Sequence, residues 1–271
     1  MDPEKADVRP EWAPLTVDLD QPSVARVWDF YLGGSHNFQV DRAFAREAMA
    51  QMPDAPVIAR ENRAFLRRAV RFLAAQGITQ FIDIGSGIPT VGNVHEVARA
   101  TQPDARVVYV DSDPVAVTHS RALLRDDPGT LVLEADLRHP EEILGADGAA
   151  RLIDFSRPVA VLLIAVLHFI PDADDPSGII ARISSRLAPG SHLVIVHASA
   201  DTSAHHAAAN LYQRTSNPFT MRTRDEILAL FDGFELLAPG LVAPTAWRPD
   251  QQPGANPPLR TPGYAGVGRL R

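Results

Sequence analysis

Two glycines and three acidic residues carry the most readable chemistry of this sequence. Asp83-Ile84-Gly85-Ser86-Gly87 follows the apolar pair Phe81-Ile82 and precedes a helical stripe of Val91, Val94, Val97 and Ala98. Glycines between a strand and a helix let backbone approach a ligand without a Cβ clash; alone they are equally consistent with a tight turn. Asp111 ends a second apolar run, Arg106 to Val110, and Asp136 lies just past a third, Thr130 to Glu134. A carboxylate at the second strand end can accept both hydroxyls of a ribose. One at the third can meet the exocyclic amine of an adenine. Lone aspartates at strand ends are usually caps or solvated turns, but this set is nucleoside-shaped and sits where open parallel sheets bind ligands.

The kind of nucleoside follows from what the turn lacks. A dinucleotide turn needs Gly-x-Gly-x-x-Gly to seat a pyrophosphate on the helix N-terminus. Here Thr90 stands at the third glycine position, and Asp83 would repel a pyrophosphate. The aspartate suits a ligand with a cationic amino group and a sulfonium, such as S-adenosylmethionine. No Gly-Lys-Ser/Thr follows a glycine turn, so no Walker loop is present.

These residues need a sheet to hold them. Strands are expected at Phe81–Ile84, Arg106–Val110, Thr130–Glu134, Val159–Val166 and His192–His197, alternating with helices that include Pro176 to Leu187. Asp113-Pro114 reads as an N-cap and first helical residue. That alternation predicts an α/β fold with a mainly parallel sheet and helices on both faces. Phe234–Leu237 and Tyr264–Leu270 read as two further strands, and Thr223 to Glu226 as a capping box before an apolar helix. Ahead of the sheet, Val24, Val27, Trp28, Tyr31 and Leu32 form an amphipathic stripe stopped by Gly33-Gly34. Further helices are expected from Asp41 and from near Pro56. The expected division is 1–77, an arm and helical cap, and 78–271, the sheet domain. Residues 1–21 read as a loose tail or an arm ordered on contact. Pro239 to Pro262 is a long proline-rich insert, either mobile or functional.

Bulk composition narrows the classes. The 271 residues suffice for one large domain, or a domain with an added subdomain. A net charge of -7 without a basic block argues against a nucleic-acid partner. There is no cysteine, which excludes disulfides and thiolate chemistry. The longest apolar run, Val159 to Leu167, is too short to span a bilayer. The expectation is a cytoplasmic protein with no membrane partner and no metal.

The chain resembles a bacterial family of S-adenosylmethionine-dependent methyltransferases formerly classed as a domain of unknown function. The matching segments are 26–34, Asn37-Phe38 with Asp41-Arg42, 62–66, 80–90, 93–97, 107–114 and 135–138. The resemblance implies a Rossmann-like class I methyltransferase fold: a seven-stranded sheet whose last strand is antiparallel, plus an N-terminal helical cap. It places Asp83, Gly85, Ser86 and Gly87 under the methionine part and Asp111 on the ribose. Ser112 and Asp136-Leu137 flank the adenine. The acceptor is not implied.

Other candidates surround this set. His168, after the fourth strand in the run from Ala165 to Asp172, is a candidate general base; the alternative is a histidine packed under the cofactor. Ala165 at the same edge counts among the cofactor-binding residues. Tyr31, Gly33-Gly34 and Asn37 read either as a lid over the methionine end or as a helix stop with a core tyrosine. Arg63, with Arg60 and Asn62, is a candidate for the methionine carboxylate. Asn217-Pro-Phe219 resembles the Asn-Pro-Pro-Phe signature of amino-group methyltransferases, but it follows the fifth strand and lacks a proline, so it reads as a turn. The function expected is methyl transfer to a small-molecule acceptor. The alternatives are a non-catalytic S-adenosylmethionine or S-adenosylhomocysteine binder and a nicotinamide-dependent reductase.

Overall fold

Alternate residues of a strand point to opposite faces, so an apolar run becomes a strand only if both faces are covered. The computed structural model describes residues 9–10, 13–89, 92–145, 147–201, 206–213, 215, 217–250 and 263–271. In it, β1 (Gln80–Ile84), β2 (Arg106–Asp111), β3 (Thr130–Glu134), β4 (Ala160–Ile164), β5 (His192–Ala198), β6 (Phe234–Leu236) and β7 (Gly263–Leu270) form one sheet. The order is β3-β2-β1-β4-β5-β7-β6. β1 to β5 pair in parallel, whereas β7 lies antiparallel between β5 and β6. The Rossmann-like sheet with an antiparallel last strand is therefore present.

Ile82, Ile84, Val108, Val110, Val161 and Leu163 face one layer. It is covered by α6 (Pro140–Leu144), α7 (Pro176–Ser184) and α9 (Arg224–Ala229), which contribute Ile143, Ile179, Ile180, Ile183 and Ile227. Phe81, Val107, Leu162 and Val194 face the other, under α3 (Ala55–Ala75) and α4 (Val94–Arg99). Val91, expected on that helix, lies outside the described residues. α3 buries Phe65, Leu66, Ala69, Val70 and Leu73 directly on the sheet. The other helices are α1 (Val24–Tyr31), α2 (Gln39–Gln51), α5 (Pro114–Leu124) and α8 (His206–Tyr212). α5 begins as its sequence predicts: the Asp113 side chain accepts the N–H of Val115 at 2.8 Å and of Ala116 at 3.2 Å.

Four features that the sequence misplaced or left open have local causes. β4 stops at Ile164, two residues early, because Ala165 is left-handed (φ 60°) and turns the chain across the sheet edge. An L-residue pays about 1–2 kcal/mol there, so the surroundings must hold it; its N–H is bound to the Val196 carbonyl at 3.0 Å. α2 starts two residues before Asp41, because the Asp41 carboxylate reaches back to the Phe38 N–H at 2.8 Å. In the N-terminal arm, Ala13 and Val17 are buried against Ile88, Val115 and Ala116, so this part is packed and not loose. The described part of the proline-rich stretch is docked. Trp247 is fully buried beside Phe65 and Phe72, and Arg68 donates to the carbonyls of Trp247 at 3.0 Å and Pro244 at 2.6 Å. Residues 251–262 lie outside the described residues. Among those described, no helix is long and apolar enough to cross a membrane.

Candidate functional site

The strand order reverses between β1 and β4, and a cleft opens at the carboxyl ends of the strands there. It encloses ≈ 1160 Å³ counting its open mouth. Asp83, Gly85, Ser86, Gly87, Asp111, Ser112, Asp136, Leu137 and Ala165 all line it. So does Arg63. Sequence residues spread over four strand ends and a helix thus converge on one surface.

The floor is built from backbone. Gly85 and Gly87 are left-handed, at φ 70° and 67°. A Cβ on Gly85 would lie 2.7 Å from a Val166 methyl, so only glycine fits. The Gly87 N–H donates to one oxygen of Asp111 at 2.7 Å, and the Asp113 N–H to the other at 2.9 Å. Those bonds fix the Asp111 carboxylate at the cleft wall. Asp136 is held by Arg138, whose backbone N–H and Nε donate to it at 2.9 and 3.1 Å. Arg138 also donates to the Asn217 side-chain oxygen at 3.2 Å.

The roof is α1, which contributes Val24, Trp28 and Asp29, with Leu32 just past its end. Its position is set by ions. Arg26, buried, donates to Asp41 of α2 at 2.9 Å and lies 3.5 Å from Asp113, the cap of α5. Ser23 Oγ also donates to Asp113. Gly33-Gly34 does stop the helix, and the chain then wraps Asp29. The His36 N–H and the Asn37 amide donate to Asp29 at 2.9 and 2.8 Å. A Cβ on Gly34 would overlap that carboxylate.

Electrostatics favour a cationic, hydroxyl-bearing ligand. Burial pushes the Asp83 carboxyl up to about 7, opposed by the Arg63 guanidinium and reinforced by Asp111. Burial likewise raises Asp111 to about 6, against the N–H donors of Asp113 and Gly87. Burial lowers Arg63 from its usual value, and Asp83 opposes that shift. Both carboxyls thus bind protons more tightly folded than unfolded. Their contribution to stability is full below the ordinary carboxylate range and lost as pH rises through about 6 and about 7. A ligand that favours the ionised forms must expel those protons. We expect S-adenosylhomocysteine affinity to rise with pH across the same window and to level off above it. Calorimetry in buffers of different ionisation enthalpy reads this directly; a flat affinity without proton release would contradict it.

A family model described as S-adenosyl methyltransferase matches residues 10–271. A crystal structure of a Thermobifida fusca protein classed as a methyltransferase is 43% identical, with TM-score 0.91, covering 97% of this chain and 100% of that one. A DUF574 family protein from Streptomyces avermitilis is 36% identical, with TM-score 0.88, covering 94% and 99%. The chain belongs to the S-adenosyl methyltransferase family. Its cofactor is accordingly S-adenosylmethionine, in keeping with the acidic strand ends and against the nicotinamide alternative. The N-methyltransferase NodS of Bradyrhizobium japonicum, solved with S-adenosylhomocysteine, is 13% identical at TM-score 0.50, covers 90% and 98%, and shares the fold alone. No curated protein matches the chain.

For a methyltransferase the space beside this cleft matters next. A second cavity of ≈ 590 Å³, counting its mouth, adjoins the first and shares Trp28, Asn62 and Phe169 with it. His168 lines this second cavity and not the first. Its ring lies 4.5 Å from that of Phe169 and 4.7 Å from that of Phe219. Tyr31 lines neither cavity. It is buried in the layer of α1, α2 and α8, its hydroxyl 3.2 Å from that of Tyr212, so it is a core tyrosine rather than a lid. Several residues were not legible as site residues. Asn217 and Phe219, read as a turn, line the first and second cavities respectively. Trp28 and Asp29 read only as helix.

Proposed function

We propose that the protein transfers the methyl group of S-adenosylmethionine to a small-molecule acceptor seated in the second cavity. The observation that carries this reading is the shared wall of Trp28, Asn62 and Phe169 between the acidic cleft and that cavity. An acceptor there lies beside the donor and not behind it.

Bound S-adenosylmethionine supplies an electrophilic methyl on a sulfonium. Asp83 faces its ammonium end and Arg63 its carboxylate, while Gly85, Ser86 and Gly87 let backbone pass close beneath. Asp111 accepts the ribose hydroxyls. Asp136 meets the adenine amine, flanked by Ser112 and Leu137, and Ala165 bounds the cleft below the reacting end. An acceptor heteroatom forms a bond to the methyl carbon as the carbon–sulfur bond breaks. The sulfur keeps that electron pair and becomes a thioether. His168, on the acceptor side, takes the proton the acceptor loses. Holding both partners in line supplies much of the acceleration.

Two measurements test the reading. Calorimetry should show one S-adenosylmethionine site and no NAD binding. Incubation with the dialysable fraction of a cell extract should then yield S-adenosylhomocysteine, while the macromolecular fraction should not. Binding without turnover on either fraction would favour a non-catalytic binder.

A further inference from the structure

The second cavity is lined by six aromatic rings, those of Trp28, His168, Phe169, His197, Tyr212 and Phe219. Phe169 meets Phe219 edge to face at 5.4 Å and 70°, and Tyr212 lies tilted against Phe219 at 5.5 Å and 34°. No Asp, Glu, Lys or Arg is among the described lining residues. The polar groups that do reach it are mostly engaged. His197 donates from Nδ1 to the Ala198 carbonyl at 2.8 Å and accepts at Nε2 from Arg222 at 2.8 Å. That pairing fixes its tautomer, and burial pushes its pKa down to about 4, so it stays neutral. The Tyr212 hydroxyl is paired with that of Tyr31. Asn62 and His168 are the further polar side chains on the wall, Asn62 on the boundary with the donor cleft.

A charged acceptor would leave water here without a counter-ion, which is strongly unfavourable. Flat rings suit such walls, because edge-to-face contacts add to the burial of apolar area. We propose that the acceptor is an uncharged aromatic molecule of one or two fused rings. It carries a single hydroxyl or amine, which points past Asn62 toward the methyl donor. This rests on the methyltransferase reading above, with the second cavity as the acceptor site. It adds the class of molecule: neutral at the reacting pH, planar, and with its one polar group at the donor end. In the transfer, the hydroxyl oxygen or amine nitrogen gains the methyl carbon, the donor sulfur retains the pair of the broken bond, and the proton of that oxygen or nitrogen passes to His168.

The test keeps the two readings apart. S-adenosylhomocysteine is first titrated into the protein, which reports the donor site alone. The saturated protein is then titrated with 2-naphthol, 2-naphthoate, 2-naphthylmethylammonium and decahydro-2-naphthol. Should S-adenosylhomocysteine fail to bind, the donor reading falls, and the same four probes are titrated into the free protein. Expected is one saturable 2-naphthol site, with both charged probes at least tenfold weaker and the non-planar alcohol several-fold weaker. Ala209→Phe and Met52→Trp fill the cavity from two sides. Each should abolish 2-naphthol binding with S-adenosylhomocysteine affinity retained, which also reports that the variant is folded. Charged probes binding as well as 2-naphthol would overturn the proposal. So would 2-naphthol binding that survives both filling variants. If neither variant folds, the order of the four probes on the unaltered protein decides.

Discussion

Asp111→Ala is expected to weaken S-adenosylhomocysteine binding by about 1–3 kcal/mol, because hydrogen bonds to a charged acceptor are lost at a buried site. That is roughly a five- to 150-fold rise in Kd. The carboxylate is pre-oriented by the Gly87 and Asp113 N–H groups, so a ligand hydroxyl meets an acceptor that does not have to be ordered first. Asn is not a mild substitute, since its amide donor would face one of those two N–H groups. Calorimetry with 5′-methylthioadenosine, which keeps the ribose and lacks the amino-acid end, should show the same loss. A defect confined to the full ligand would move Asp111 away from the ribose.

The second large effect concerns the protein rather than the ligand. Arg222 is buried and donates to the carbonyls of Leu167 at 3.1 Å and Ile170 at 2.9 Å, as well as to His197. It also meets Asp172 at 2.6 Å, but that carboxylate is 79% exposed and the pair contributes little. Arg222→Ala would take the donor from the Ile170 carbonyl and from the His197 Nε2, and one of two donors from the Leu167 carbonyl, which keeps the Ile170 N–H at 3.1 Å. We expect about 3–5 kcal/mol of lost stability, as for breaking a buried charged network. Urea unfolding measures it, and Arg222→Lys should restore only part. A loss below about 1 kcal/mol would mean that water takes over the arginine's bonds. The affected carbonyls belong to the loop that carries His168, so transfer activity should fall further than donor affinity.

How far the sequence could be read depended on the range of the interactions involved. The five parallel strands were legible because both-sided burial leaves continuous apolar runs. Asp83, Asp111 and Asp136 were legible because parallel topology brings strand ends together wherever the rest of the chain goes. The end of β4 was not, since nothing in Ala165 itself announces a left-handed residue; the cause is its bond to Val196 on the next strand. Tyr31 was placed correctly on the buried face of α1. The partner on that face, Tyr212, lies 181 residues away, and no local pattern encodes the pairing. Asn217 and Phe219 were read as a turn because they follow the fifth strand and lack a proline of the signature they resemble. Their segment has no periodicity, and only the tertiary fold brings it against Arg138 and His168.

The insertion of β7 between β5 and β6 also orders events during synthesis. β5 pairs with β4 as soon as both exist, but its other edge has no partner until residues 263–270 emerge. β6 has no place in the sheet before then either, because β7 is its neighbour. Trp247, which seals α3 through Arg68, likewise arrives late. A nascent chain therefore carries an apolar strand edge, Leu193 to Val196, and an uncovered patch on α3 until its last strand is made. Truncation before β7 would then yield an aggregating species rather than a smaller methyltransferase, even though every residue assigned to the donor cleft would still be present.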